Sequence, residues 1–304
     1  MRAPDVWSAH RLRAQTGLSS LTRTRRRFLR LSLLAGAIAL AGDGILLEPD
    51  FPRVVRHEVP LKRWPERLNG FTVAVLGDFH YDPYFSVHPL RAAIGIVNRL
   101  RPDLILLLGD FVSVPIIGDE RKAALAAGPC ALLLRKMHAP YGLWAVLGNH
   151  DWGTDPRYVA EVLQAAGIRV LANQSEPIER DGARFWLAGV DDVIGLAADV
   201  PKTLQTPPSD EAVVLMVHEP DFADYVSRFP VDFQVSGHSH GGQVRLPLLP
   251  PLYLPKLAKK YVRGFHQVGH LTLYTNEGLG TVALPIRLNC PPEITLFTLR
   301  RAVG

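Results

Sequence analysis

The chain predicts an α/β fold, and three observations carry that expectation. Five short apolar runs each end in a polar residue able to bind a metal: Val73 to Leu76 runs into Gly77-Asp78-Phe79-His80, Leu104 to Leu108 into Gly109-Asp110, Trp144 to Leu147 into Gly148-Asn149-His150-Asp151, Val213 to Val217 into His218, and Phe233 to Ser236 into Gly237-His238-Ser239-His240. Four of the five place a glycine immediately before that residue, and helical stretches fall between the runs. Buried strands read as continuous apolar runs of roughly four to eight residues, and open α/β sheets bind ligands where strand carboxyl ends meet loops. Two Asp, one Asn and several His are therefore expected at one edge of one sheet.

Along the chain, Glu48 to Pro65 is rich in proline and reads as a connector. Pro89 through Leu100 reads as a helix with proline near its first turn, and Ala123 through Met137 as another. Asp155-Pro156 supplies the cap and first residue of a third, which ends before Gly167. Ile178 to Arg180 and Arg184 to Val190, joined by Asp181-Gly182-Ala183, predict a hairpin, and Leu271 to Tyr274 and Ile294 to Leu299 predict late strands. Gly241 to Pro255 carries too many prolines for a helix or central strand, so a loop beside the last histidines is expected. There is no internal repeat.

The donor set decides the chemistry. Carboxylate, amide oxygen and imidazole without thiolate suit Mn, Fe, Zn or Ni, and seven donors are too many for one catalytic ion that keeps a position open for water. Two divalent ions are the expected count. A carboxylate such as Asp110 can bridge ions roughly 3.5–4 Å apart, and such a pair lowers the pKa of a shared water and clamps a phosphoryl group. A lone Asp after a strand is usually a cap or turn former, and a lone His a satisfied polar group. Here five such blocks follow one another in order.

Asp78-x-His80, Gly109-Asp110, Gly148-Asn149-His150-Asp151, His218 and Gly237-His238-Ser239-His240 resemble the ordered blocks of the calcineurin-like metallophosphoesterases, from about Phe71 to the C-terminus. The resemblance implies a four-layer α/β/β/α sandwich of two mixed sheets. It also implies Asp78, His80 and His240 on the first metal, Asn149, His218 and His238 on the second, and Asp110 as the bridge. His150 would face the phosphate, with Asp151 orienting its ring. Phosphoprotein phosphatases of this superfamily carry Asp-Arg-Gly after the bridging Asp, whereas Asp110 is followed by Phe111-Val112-Ser113, which disfavours a protein substrate.

Composition sets the frame. A chain of 304 residues with 47% hydrophobic content can bury a full core, so one catalytic domain, residues 66–304, is expected behind a leader (1–41) and connector (42–65). The net charge of +5 invites a nucleic-acid reading. Yet eight of the 34 basic residues precede residue 42, against one of the 29 acidic ones, which leaves the remainder at −2. No nucleic-acid partner is expected.

In the leader, Thr24-Arg25-Arg26-Arg27-Phe28-Leu29-Arg30 followed by the apolar Leu31 to Ala41 resembles a twin-arginine export signal, with Ala39-Leu40-Ala41 as a cleavage site. The export machinery is thus an expected partner, and the periplasm or outer face of the cytoplasmic membrane the expected location, with the signal cut or kept as a tether. A membrane span needs roughly 20 apolar residues, and Asp43 interrupts the run after about half that. Residues 1 to 22 are long and irregular for such a signal, which leaves a downstream start open. Cys130 and Cys290 are expected as two buried thiols rather than a disulfide.

The segment after His240, with Leu246, Leu248, Leu249, Leu252 and Leu254 among its prolines and Lys256, Lys259, Lys260, Arg263 and Arg287 beyond, resembles the membrane-associated bacterial branch of the superfamily. That branch implies cleavage of a phosphodiester or pyrophosphate, such as UDP-diacylglucosamine, by a metal-bridging hydroxide. A greasy rim would meet an acyl chain or membrane surface, and flanking cations the phosphate. An envelope phosphomonoesterase is the alternative. A non-catalytic lipid-binding module is the remote one, and it predicts missing metal donors.

Overall fold

Central strands that are buried along almost their whole length build two sheets, each covered on both faces. The protein is described here by a computed structural model over residues 25–32, 34–36, 42–115 and 117–302, and the chain divides into two compact units, Met1–Asp43 and Gly44–Gly304. In the first unit, residues 25–32 and 34–36 are helical, and the expected cleavage site Ala39-Leu40-Ala41 lies outside the described residues. No helix among the described residues is long and apolar enough to cross a membrane.

The second unit holds twelve strands: β1 (Arg53–Leu61), β2 (Phe71–Leu76), β3 (Leu104–Leu107), β4 (Leu143–Ala145), β5 (Arg169–Val170), β6 (Gln174–Arg180), β7 (Ala183–Gly189), β8 (Val213–Met216), β9 (Phe233–Ser236), β10 (Gly264–Val268), β11 (Leu271–Thr275) and β12 (Glu293–Arg301). One sheet has the order β1-β12-β2-β3-β4-β5 and the other β10-β11-β9-β8-β7-β6. Both are mixed: β2, β3, β4 and β5 run parallel, as do β7, β8, β9 and β11, while β12 against β2, β6 against β7 and β10 against β11 are antiparallel. The donor-bearing strands thus belong to two sheets, not to one edge of one sheet as the apolar runs alone predicted. Apolar runs specify strands but not which strands pair.

Period-two alternation makes the layers. Val73, Val75, Leu104 and Leu106 pack against Val214, Met216, Phe233 and Val235 between the sheets. Ala74, Leu76, Ile105 and Leu107 face helices on one outside, and Val213, Leu215 and Val217 face the opposite side with Ala223 and Val226. The result is the α/β/β/α sandwich. Each large apolar side chain buried in these layers contributes roughly 1.5–3 kcal/mol.

Two elements differ from expectation for identifiable reasons. The connector contains β1, which pairs with β12 from Arg53↔Glu293 to Leu61↔Arg301. Its Pro60 is tolerated because β1 is an edge strand, where a missing ladder donor costs little. The helix expected over Ala123 to Met137 is two. With α1 at Val87–Leu100, α2 spans Glu120–Ala124 behind the Asp119 cap, and α3 spans Ala127–Leu134. Pro129 has no N–H to give and its ring would meet the Leu125 carbonyl, so one continuous helix would cost about 3 kcal/mol there and the chain starts a new helix instead. Further on, α4 covers Asn149–Trp152, and α5 covers Pro156–Ala165 with Asp155 accepting from the Tyr158 N–H. The hairpin turns through Asp181 and Gly182 at φ 54° and 72°, the pattern of a two-residue primed turn. Cys130 and Cys290 are both buried and free.

Candidate metal centre

Each donor sits where a strand stops. Asp78 and His80 follow β2, Asp110 follows β3, Asn149 and His150 open α4 after β4, His218 follows β8, and His238 and His240 follow β9. Five of these residues hold left-handed backbone: Asp78 at φ 52°, His80 at 41°, Asp110 at 54°, His238 at 67° and His240 at 50°. Such conformations cost non-glycine residues of order 1–3 kcal/mol and persist where the surroundings enforce them. The glycines before them are matters of space. A Cβ on Gly237 would lie 2.7 Å from Asp78 Oδ2, and one on Gly148 would strike Asp110 Oδ1.

All seven expected metal donors come together. Donor atoms of Asp78, His80 and His240 lie within 4.8 Å of one another, as do those of Asp110, His218 and His238. Asp110 joins the two groups, with Oδ2 3.4 Å from His80 Nε2 and 3.1 Å from His218 Nε2. His80 Nε2 and His240 Nε2 face each other at 3.0 Å. Asn149 lines the same cleft as Asp110, His150, His238 and His240. Backbone carbonyls aim two of the rings: His218 Nδ1 is 2.6 Å from the Leu108 oxygen and His238 Nε2 2.8 Å from the Lys256 oxygen, so each turns its other nitrogen inward.

These residues fit a divalent cation. Buried Asp78 Oδ2, Asn149 Oδ1 and His240 Nδ1 have no hydrogen-bond partner among the described residues, and His218 Nε2 has only the Asp110 carboxylate at 3.1 Å beside it. An unsatisfied buried polar atom costs about 1–3 kcal/mol, which a bound ion would offset at the inward-facing ones. Burial pushes His80 down to about 3 and His238 to about 4, so both are neutral with a lone pair free. Burial pushes the Asp78 carboxyl up to about 7, with the charge of Asp110 adding to it against the pull of His218. Against burial, the His218 imidazole holds Asp110 well below the usual carboxylate range, and Asp110 in turn raises His218 well above the usual imidazole range. Cys290 stays out of the set, its thiol pushed up to about 12 by burial and its Sγ 3.0 Å from the His240 carbonyl.

Two expected roles need correction. Asp151 does not orient the ring of His150. Its Oδ1 accepts from the Phe111 and Val112 N–H groups and its Oδ2 from the Gly148 N–H, which ties the loop after β3 to the start of α4. The ring is held instead by the Val114 N–H, which donates to His150 Nδ1 at 2.8 Å. Nor is Arg287 a cation for phosphate. It is fully buried and spends its donors on the Glu277, Gly280 and Cys290 carbonyls. That grip holds the loop whose Gly280 N–H donates to the Asp78 carbonyl at 2.7 Å. Sequence reasoning missed this brace, whose one signal was an arginine close to the Gly278-Leu279-Gly280 turn. Two of the other expected cations are engaged elsewhere, Lys260 with Asp224 at 2.7 Å and Arg263 with Glu277 at 3.6 Å.

Comparisons with known proteins agree with this geometry. The family model described as Calcineurin-like phosphoesterase matches residues 71–242, an interval that contains every expected site residue. An uncharacterized metallophosphoesterase of Bacillus subtilis (strain 168), YkuE, is 34% identical over 91% of this chain and 98% of its own length. The phosphodiesterase YaeI of Escherichia coli (strain K12) is 32% identical over 91% of this chain and 99% of its own. A transmembrane protein with metallophosphoesterase domain from Danio rerio is 30% identical over 90% of this chain and 62% of its own length.

Proposed function

The chain belongs to the calcineurin-like phosphoesterase family of metal-dependent phosphoester hydrolases, and from that premise we propose that it cleaves a phosphodiester or pyrophosphate with one apolar arm, a lipid-linked substrate such as UDP-diacylglucosamine. One observation carries the reading. A cleft of about 480 Å³ joins Asp110, Asn149, His150, His238 and His240 to an apolar wall that includes Leu252 and Leu284. Beside it Leu248 is fully exposed, and Leu249, Leu252 and Tyr253 are more than half exposed, as suits contact with an acyl chain or a membrane surface.

Asp78, His80 and His240 would hold one divalent cation and Asn149, His218 and His238 a second, with Asp110 shared. Two such cations, when bound, supply a water of lowered pKa and positive charge opposite the phosphoryl oxygens. The chain's residues do the rest. Because His150 Nδ1 receives the Val114 N–H, the neutral ring carries its proton on Nε2, where it can donate to a phosphoryl oxygen or protonate the leaving oxygen.

The test is a substrate panel on protein reconstituted with Mn: a small diester, a monoester and a nucleotide-linked lipid. Diester and lipid-linked pyrophosphate should be preferred; a preference for the monoester at equal metal loading would make this a phosphomonoesterase instead. Replacing Leu248, Leu249 and Leu252 with Ser should lower the efficiency on an acylated substrate relative to a small diester. Losing three or four buried CH₂ contacts costs roughly 2–3 kcal/mol, about thirtyfold or more. Equal losses on both would mean that the loop supports the fold alone.

The arginines of the leader support export by the twin-arginine machinery to the periplasm or the outer face of the cytoplasmic membrane. Arg25→Lys combined with Arg26→Lys should leave the folded protein in the cytoplasm, because the pair is read as an address rather than as charge. Unchanged cell fractionation of that double variant would contradict this.

A further inference from the structure

We propose that Gln243 is a positioning residue that sets the grip of the cleft on the apolar arm of the substrate, and so the preference for that arm. This rests on the reading of the cleft as the substrate site of a phosphoester hydrolase. Gln243 lies three residues beyond His240 and takes φ 49° and ψ −49°, a left-handed backbone region costly for any residue with a side chain. The fold enforces it: the Gln243 N–H donates to the His240 carbonyl at 2.9 Å, and its own carbonyl accepts from Leu288 at 2.9 Å. Next to it, Gly242 at φ 86° packs so closely on Pro251 that a Cβ would lie 2.5 Å from the proline ring.

From this position the side chain reaches the segment after Thr281. Its Oε1 accepts from the Val282 N–H at 2.9 Å, and its Nε2 donates to the Val282 and Leu284 carbonyls, each at 3.1 Å. Residues 282–284 form no helix or strand, and among the described residues their other hydrogen bonds are within 282–286. Among the described residues, one amide is therefore the hydrogen-bonded tie of residues 282–284 to the rest of the unit. Val282, Leu284 and Ile286 line the cleft together with Val244, Leu252 and Tyr253. An apolar arm would be held between these side chains only while the tie keeps the wall in place, whereas the phosphoryl end needs only the donors around Asp110. Gln243 also bonds to the His240 carbonyl, so the wall and the metal-facing loop share one anchor.

The experiment compares Gln243→Ala and Gln243→Glu with the unaltered protein, all loaded with Mn, on bis(4-nitrophenyl) phosphate and on hexadecyl 4-nitrophenyl phosphate, which release the same leaving group. Glu keeps the acceptor for Val282 but sets a carboxylate oxygen against two carbonyls. In both variants the ratio of kcat/KM for the long-chain ester to that for the small one should fall at least about tenfold, mainly through KM, with metal content unchanged. Leu284→Ser, which alters the wall without touching the tie, should shift the ratio in the same direction. Equal losses on both esters, or loss of metal, would show a merely structural role and overturn the proposal. An unaltered protein that hydrolyses both esters without favouring the long chain would overturn it alone; one that hydrolyses neither would overturn the phosphoester reading and the proposal with it.

Discussion

Asp110→Asn is expected to strip the protein of metal and to lower turnover at least about a hundredfold. Asp110 is the carboxylate that reaches both donor groups, with Oδ2 near His80 Nε2 and His218 Nε2 and Oδ1 accepting the His150 N–H at 2.9 Å. Asparagine keeps the shape and an oxygen for that backbone bond, so the fold of the loop should survive. What disappears is the negative charge that lies between two sets of imidazoles. Metal analysis beside a turnover assay checks this, and full activity with metal retained would refute the shared role of Asp110.

His150→Ala should separate chemistry from binding. Metal stoichiometry should remain near that of the unaltered protein while kcat falls by roughly 10² to 10⁴, the usual worth of a positioned acid or base. The distinction is a real one here, because a nitrogen of His150 lies within 4.8 Å of the donor atoms of His80 and Asp110. Loss of metal in this variant would make His150 a ligand. Retained metal with lost turnover would leave it the proton donor that its tautomer, fixed by Val114, allows.

The donors were legible in the sequence because each closes an apolar run, and a chain that leaves a buried strand must turn at a predictable place. The partition of those strands between two sheets was not legible from the runs, since Val213 to Val217 looks the same whichever sheet receives it; only the family resemblance supplied it. Strand β1 was hidden by Pro52, Pro60 and Pro65, which mark a linker as readily as an edge strand. The true partner of Asp151 was hidden for a different reason. It binds the backbone N–H groups of Phe111, Val112 and Gly148, and a backbone donor leaves no trace in residue identity. The same holds for Arg287, whose partners are carbonyls, and for Gln243, whose partners are main-chain atoms of Val282 and Leu284.

The central claim is a pair of cations sharing Asp110, and titrating metal-free protein with Mn while following both bound metal and phosphodiester turnover tests it most directly. The account predicts that turnover saturates at two ions per chain and that Asp110→Asn abolishes the saturable binding. Saturation of full turnover at one ion per chain, or turnover that survives removal of metal by a chelator, would contradict it.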